Sequence, residues 1–148
     1  MIFIIEQRYI DEMIAHAREE LPNECCGMLL GREGQVLDFR PCTNAAPPAD
    51  RPFRYEVSPK ELLAIFNESR ERDWDVLVIY HSHTHTPAYP SPTDVRLAGY
   101  PEVVYILVSL QDPEHPAVHA FSIDQEKRTG DHRDAITELQ IEIASQQP

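Results

Sequence analysis

Two histidines and an aspartate in one short segment have the residue types and spacing of a metal site. His81 and His83 lie two residues apart, and Ser91 and Asp94 complete an H-x-H-x7-S-x-x-D pattern. The apolar run 76–80 precedes His81 and predicts a buried strand, so both imidazoles should leave the strand end on the same side. Two imidazoles and one carboxylate suit Zn2+, and three protein ligands leave a fourth position for water. The segment therefore predicts an open zinc site of the catalytic type.

Each of these residues also has an ordinary structural interpretation. An isolated H-x-H pair is most often two histidines near a surface loop. Ser91 followed by Pro92 predicts the N-cap and first residue of a helix, which makes Asp94 an acid of its first turn. The two roles of Asp94 are compatible, because one carboxylate oxygen can bind metal while the other accepts a backbone N–H. His85 lies beyond the expected strand end, so we predict that it is a bystander.

Glu24 is the candidate general base. Metal-assisted hydrolysis needs a group that takes a proton from the attacking water and passes it to the leaving amine. Glu24 lies where a polar loop enters the apolar run 25–30, so its carboxylate should be partly desolvated and its pKa raised. A solvated loop acid is the alternative. Cys25 and Cys26 adjoin it and are predicted to be small buried hydrophobic residues, since no second close cysteine pair accompanies them as metal ligands.

The hydrophobic periodicity predicts one α+β (mixed α/β) domain over residues 1–148 that positions these residues. We expect one sheet of about six strands, two long helices and one short helix that starts at Ser91. A hairpin turn should lie at Gly34. The expected long helices are about 8–20 and 59–72, and the expected strands are 2–5, 25–30, 35–40, 53–57, 76–80, 103–110, 117–123 and a last one around 139–143.

Composition restricts the partners and the compartment. The net charge is −12, from 25 acidic and 13 basic residues. This balance argues against nucleic acid, whose recognition depends on basic surfaces. No apolar stretch has the length of a membrane span, and the N-terminal run 2–5 is too short for a signal peptide. The three cysteines are odd in number, which favours a reducing compartment. We therefore expect a cytoplasmic protein without a membrane partner.

The combined pattern resembles the JAMM (MPN+) zinc peptidases, the metal-dependent deubiquitinase family. The resemblance lies in H-S-H-T at 81–84 with the later serine and aspartate, and in P-x-E-x-C-G-x-L-x-G at 22–31. It implies a mixed, curved sheet related to that of the cytidine deaminases. It also implies one Zn2+ per chain, and it gives each site residue a role: His81, His83 and Asp94 as zinc ligands, Glu24 as general base and acid, and Ser91 as the group that stabilises the oxyanion.

Residues 80–84 and 88–98 resemble the short bacterial branch of this family, as do 43–45 and 53–55. That branch implies a peptidase or isopeptidase that cuts the amide after the C-terminal Gly-Gly of a small ubiquitin-like sulfur-carrier protein. Release of cysteine from a carrier–cysteine adduct, in cysteine biosynthesis, is the specific expectation. Trimming of a carrier to expose Gly-Gly and a non-catalytic MPN scaffold are the alternatives. His85 departs from the branch, which has a small residue there. The oligomeric state stays open, and a homodimer is compatible with the sequence.

Other zinc hydrolase patterns are absent. A nucleobase deaminase needs H-x-E and a later P-C-x-x-C. The residue two positions after His83 is His85, and the chain has no C-x-x-C. The H-E-x-x-H pattern of thermolysin-like enzymes is absent as well.

Overall fold

The computed structural model of the protein describes residues 1–145. Three α-helices and two short 3-10 segments (Gln125–Lys127 and His132–Ala135) accompany one sheet. The helices are α1 (Gln7–Glu20), α2 (Pro59–Glu71) and α3 (Pro92–Leu97). The strands are β1 (Ile2–Ile5), β2 (Cys26–Arg32), β3 (Gln35–Cys42), β4 (Asp75–His83), β5 (Val104–Ser109), β6 (Ala117–Ile123) and β7 (Ile136–Ile143).

The sheet is mixed, and its strand order is β1-β7-β6-β5-β4-β2-β3. The pairs β4–β5 and β1–β7 are parallel, and the other neighbours are antiparallel. Strand β2 shifts register against both neighbours near Leu30, and such bulges increase the local twist and curvature of a sheet. The predicted α+β class, with two long helices and one short one, is confirmed. Within residues 1–145 the sheet has seven strands rather than about six, and β7 confirms the last strand expected around 139–143.

The hairpin between β2 and β3 confirms the turn predicted at Gly34. Arg32 pairs directly with Gln35, so the loop has two residues, Glu33 and Gly34. Both have positive φ, of 54° and 79°. Positive φ at both central residues is the mark of a type I′ turn, whose twist matches that of the flanking strands.

The strand predicted at 53–57 is wrong. The only ladder contact of this segment is a single antiparallel bridge between Asn44 and Val57. Its other backbone groups bond elsewhere: the N–H groups of Phe53 and Arg54 donate to the carbonyl of Asp50. The alternating apolar residues at 53–57 therefore lie in a loop. Local turns and the side chain of Asn44 make the backbone hydrogen bonds that a partner strand would otherwise make.

The helices cover the two faces of the sheet with separate apolar clusters. Helix α1 buries Met13 and Ala17 against one face, together with Val78 and Tyr80 of β4. Helices α2 and α3 cover the other face, where Cys26, Ile79 and Val95 are buried. Successive residues of β4 thus belong to opposite clusters, which is the period-two pattern that positions His81 and His83. Within residues 1–145, no helix is long and apolar enough to cross a membrane.

Candidate active site

The two histidines at the end of β4 meet the aspartate at the start of α3. Nε2 of His81 lies 3.2 Å from Oδ2 of Asp94, and Nε2 of His83 lies 3.0 Å from the same oxygen. One donor atom from each residue lies within 4.8 Å of the other two, so the group could hold a metal ion. The alternation of β4 supplies the same-side pair that the sequence predicts, and the loop after β4 returns α3 to that strand end.

The start of α3 is a capping box that includes the candidate ligand. Oγ of Ser91 accepts the N–H of Asp94 at 3.0 Å, and Oδ2 of Asp94 accepts the N–H of Ser91 at 2.9 Å. We expected the two oxygens of Asp94 to divide the capping and metal roles, but Oδ2 faces both imidazoles and the backbone N–H. Ser91 uses a lone pair as the cap, so its hydroxyl proton is still available to a substrate.

The surroundings of the two imidazoles fit a metal site. Nδ1 of His83 lies 2.8 Å from the carbonyl oxygen of Pro87. A carbonyl only accepts, so Nδ1 donates, and in the neutral ring the lone pair of Nε2 then points to the cluster. His81 stacks on Tyr55 with 4.2 Å between ring centroids. Within residues 1–145 both of its ring nitrogens are buried without a hydrogen bond, because the 3.2 Å approach of Nε2 to Asp94 does not have hydrogen-bond geometry. An orphaned buried lone pair is one that a metal ion would use. Two imidazoles and a carboxylate are an appropriate donor set for zinc.

The ionisation of the cluster is set by burial and by the mutual attraction of its members. Burial lowers the pKa of His81, and Asp94 only partly offsets this. Burial acts in the same direction on His83, but the hydrogen bond and charge of Asp94 outweigh it and raise the pKa of His83. Burial alone would raise the pKa of Asp94, but the two imidazoles and the Ser91 N–H hold it well below its ordinary value. These shifts favour the ionised form of Asp94, and they let His83 keep its second proton to a higher pH than an ordinary histidine.

We expect zinc binding to release that proton. A metal ion and a proton compete for Nε2 of His83, so the apparent zinc affinity should rise with pH as His83 deprotonates. That range lies above the ordinary histidine pKa of 6.5, because the pKa of His83 is raised. Calorimetric titration in two buffers of different ionisation enthalpy measures the protons released. The Glu24→Gln variant removes the other buried carboxyl and should keep the His83 contribution. An affinity independent of pH in that variant would contradict this expectation.

Glu24 lies beside the group formed by His81, His83 and Asp94 because of the register between β2 and β4. Cys26 pairs with His81, and the N–H of Ser82 donates to the carbonyl of Cys25 at 3.1 Å, so the next step of the antiparallel ladder brings Glu24 opposite His83. Directly opposite residues share a face of the sheet. Glu24 therefore projects on the same side as the histidines, although it is distant from them in sequence.

The carboxylate of Glu24 has the environment of a general base. The residue is 4% exposed, and its buried Oε1 has no hydrogen-bond partner in the described part of the chain, residues 1–145. Burial raises its pKa to about 8; the charge of His83 opposes the shift and that of Asp94 adds to it. A carboxyl with a pKa near neutral pH can both take and return a proton during turnover. The partly desolvated carboxylate expected from the sequence is present in the structure.

The remaining predicted residues fall outside this group. His85 is exposed, and its Nδ1 lies 2.6 Å from Oγ1 of Thr84. It is not one of the three residues that could hold a metal ion, and its role as a bystander stays a prediction. Sequence reasoning missed Tyr55, which stacks on His81, and Pro87, which orients His83. The only signal for Tyr55 was the resemblance of 53–55 to the bacterial branch.

Three comparisons with known proteins agree with this architecture. A family model described as prokaryotic homologs of the JAB domain matches residues 6–124. The CysO-cysteine peptidase of Mycobacterium tuberculosis is 40% identical over 124 residues, which cover 82% of this chain and 83% of that protein. The desampylase of Haloferax volcanii is 33% identical over 105 residues and covers 67% of this chain and 74% of that protein.

A solved structure of a Desulfitobacterium hafniense protein superposes with a TM-score of 0.79 at 33% identity, covering 99% of this chain and 94% of that one. The family match includes Glu24 and the whole segment 81–94, so the resemblance seen in the sequence and the geometry of the cluster refer to the same part of the chain. The chain belongs to the prokaryotic branch of the JAB-domain family.

Proposed function

We propose that the protein is a zinc-dependent peptidase that hydrolyses the amide after the C-terminal Gly-Gly of a ubiquitin-like sulfur-carrier protein and releases cysteine. One observation carries the proposal. A buried carboxyl with a pKa of about 8 lies on the same face of the sheet as two histidines and an aspartate that could hold a metal. This combination of a metal site with an adjacent proton-transfer group is what amide hydrolysis requires.

The residues of the cluster divide the chemical work. His81, His83 and Asp94 would hold Zn2+, which when bound supplies Lewis-acid polarisation of the scissile carbonyl and acidification of a water molecule. Glu24 would take the proton of the attacking water and deliver it to the leaving amine. The Ser91 hydroxyl would donate its free proton to the oxyanion of the tetrahedral intermediate while its oxygen caps α3.

Exposed apolar side chains that are close in sequence to the site residues support a protein substrate. Phe53, Leu97 and Tyr89 are 76%, 54% and 39% exposed. Phe53 is two residues from Tyr55, which stacks on His81, and Tyr89 is two residues from Pro87, whose carbonyl contacts His83. Leu97 is three residues from Asp94. Exposed large hydrophobic residues around a polar site suit a protein partner better than a small polar molecule. The names of the matched relatives, one a CysO-cysteine peptidase and one a desampylase, support a carrier-protein substrate.

The two alternatives differ in what they require of the site. Trimming a carrier to expose Gly-Gly would use the same residues and would differ only in the leaving group. A non-catalytic scaffold does not need a base, a metal cluster and an oxyanion donor together, and this chain has candidates for all three. Stoichiometric zinc in the purified protein would argue against the scaffold, and metal analysis measures it. The three cysteines are buried and free, which supports our proposal that the protein works in the reducing cytoplasm.

A cleavage assay with three matched substrates tests the proposal. One carrier that ends in Gly-Gly is prepared with a single cysteine on its C-terminus, with a short peptide extension, or with an isopeptide-linked lysine side chain. We expect zinc-dependent release of cysteine and the highest kcat/KM for the cysteine adduct. Intact-mass spectrometry monitors the cleavage of all three substrates. Faster cleavage of the extension would favour trimming. No cleavage of any substrate by the zinc-loaded protein would reject the peptidase proposal.

A further inference from the structure

One loop connects the candidate base with a candidate metal ligand. This loop, residues 44–57, is called the Asn44 loop below. The carbonyl of Arg51 in the loop accepts the backbone N–H of Glu24 at 2.8 Å. Further along the loop, Tyr55 stacks on His81 with 4.2 Å between the ring centroids. The loop therefore contacts both the residue that would move protons and a residue that would hold the metal.

The side chain of Asn44 makes four hydrogen bonds, all to backbone groups. Its Nδ2 donates to the carbonyl oxygens of Glu24 and Arg54, each at 3.0 Å. Its Oδ1 accepts the N–H of Ala46 at 3.0 Å and that of Glu56 at 3.2 Å. Asn44 is 8% exposed. One buried amide thus ties the start of the Asn44 loop, the end of that loop and the backbone of Glu24 together.

The chemistry of asparagine suits this position specifically. A side-chain amide has two N–H donors and one oxygen with two lone pairs, and all four are used here. An aspartate of the same shape would have no donors for the carbonyls of Glu24 and Arg54, and alanine would leave all four backbone groups without this partner. A buried backbone group that loses its partner carries a free-energy penalty, so the loop would have to rearrange. The four bonds also fix the orientation of the amide.

The backbone anchors of Glu24 matter because no hydrogen bond holds Oε1 of its carboxylate. Among residues 1–145 this oxygen has no hydrogen-bond partner, so no polar group fixes its position. The backbone is held on both sides of the residue: Arg51 binds its N–H, and Asn44 binds its carbonyl. On the next residue, the N–H of Cys25 donates to Oγ of the buried Ser82 in β4 at 2.8 Å. The hydrogen bonds that hold this residue in place are therefore made by its main chain and by that of Cys25.

We propose that Asn44 is a positioning residue that places Glu24 against the metal cluster. The inference rests on the proposed function, because it assigns Asn44 a role through the general base of that reaction. Asn44 does not touch the cluster; it acts through the backbone of Glu24 and through the Asn44 loop. A displacement of about 1 Å in a reacting group can cost about 100-fold in rate. The expected signature is a loss in kcat with zinc still bound.

The test compares Asn44→Ala and Asn44→Asp with the wild-type zinc-loaded protein. We expect kcat to fall by about 10- to 100-fold in both, with little change in KM and with one zinc per chain. Ser69→Ala is the matched control, because it removes a buried hydroxyl that donates to the Ile65 carbonyl in α2, away from the cluster. This control should keep the wild-type kcat. Equal losses in Ser69→Ala and Asn44→Ala would indicate general destabilisation and overturn the proposal.

A double-mutant cycle separates positioning from a general structural role. If Asn44 acts through Glu24, then Asn44→Ala should cause no further loss of residual activity when Glu24 is already glutamine. Fully additive losses would overturn the proposal.

Amide hydrogen exchange of the zinc-free protein gives a readout that is independent of activity. The Glu24 N–H should exchange faster in Asn44→Ala than in wild type. The carbonyl of Arg51 that accepts this N–H lies in the Asn44 loop, which has lost the hydrogen bonds of the Asn44 side chain. If the wild-type protein cleaves no carrier substrate, the proposed function fails, and the exchange experiment still decides the positioning. Unchanged exchange at Glu24 would overturn it.

Discussion

Glu24→Gln is expected to lower kcat for the carrier–cysteine adduct by about 10²- to 10⁴-fold, the range typical of a lost general acid–base. Glutamine has nearly the same shape as glutamate but cannot take a proton from water. Because the proposed metal ligands are on β4 and α3, we expect the variant still to bind one zinc per chain. Steady-state cleavage followed by mass spectrometry, together with metal analysis of the same samples, measures both results. Full activity in the zinc-loaded variant would exclude Glu24 as the base.

The Glu24→Gln variant is expected to lose activity but to gain stability relative to wild type as the pH rises, and this gain serves as a folding control. The pKa of Glu24 is about 8 in the folded protein against an ordinary 4.5, so the folded state holds this proton more tightly than the unfolded state does. The stability contributed by the proton is complete below about pH 4.5 and is lost as the pH rises through about 8. In zinc-free protein, Glu24→Gln should therefore gain stability relative to wild type as the pH rises from about 5 to 8.

Urea unfolding of both proteins in the presence of a chelator, at several pH values, measures this difference. The contributions of other titrating groups are common to the two proteins and largely cancel. A difference in the free energy of unfolding that does not change with pH would show that the carboxyl is not desolvated as the structure indicates. A variant that loses activity but is more stable at high pH has lost a functional group, not its fold.

Asp94→Asn is expected to remove zinc and activity together. The carboxylate Oδ2 lies within 3.2 Å of the Nε2 atoms of both histidines, and its replacement by a neutral amide removes the negative charge of the proposed ligand set. Loss of an outer-shell partner typically weakens metal binding by about 10- to 100-fold, so loss of a direct ligand should exceed about 100-fold. Competition with a chromophoric chelator measures the affinity. Wild-type affinity in this variant would rule Asp94 out as a ligand. In the Asp94→Asn variant, the asparagine keeps an oxygen that can accept the Ser91 N–H, so α3 should persist.

Two substitutions of Ser91 separate the helix cap from the metal site. Ser91→Ala removes the oxygen that accepts the Asp94 N–H, at a cost of about 1 kcal/mol, and it removes the proposed oxyanion donor. It should retain zinc but lose about 10²- to 10³-fold in kcat. Ser91→Thr keeps the hydroxyl and should recover much of the activity.

The candidate metal site was predictable from the sequence because its geometry is local. Alternation along a strand places His81 and His83 on one side whatever the rest of the chain does. A serine, a proline and an acid at 91–94 specify a helix start through hydrogen bonds within four residues. The α+β class and the final strand also follow from local periodicity. The segment 53–57 shows the limit of such reasoning, since apolar residues there suggest a strand that has no partner to pair with.

Contacts between distant parts of the chain decided the rest. Glu24 lies opposite His83 only because β2 pairs with β4 in one register, and a shift of one residue would turn its side chain to the other face. The raised pKa of Glu24, the joint use of Oδ2 of Asp94 and the anchoring by Asn44 depend on that same packing. The sequence by itself determined which side chains could bind a metal, because strand alternation and helix capping act over a few residues. Only the tertiary structure decided that the candidate base Glu24 lies on the same face as these side chains and what holds it in place, because strand register and burial are set by packing between segments remote in the chain.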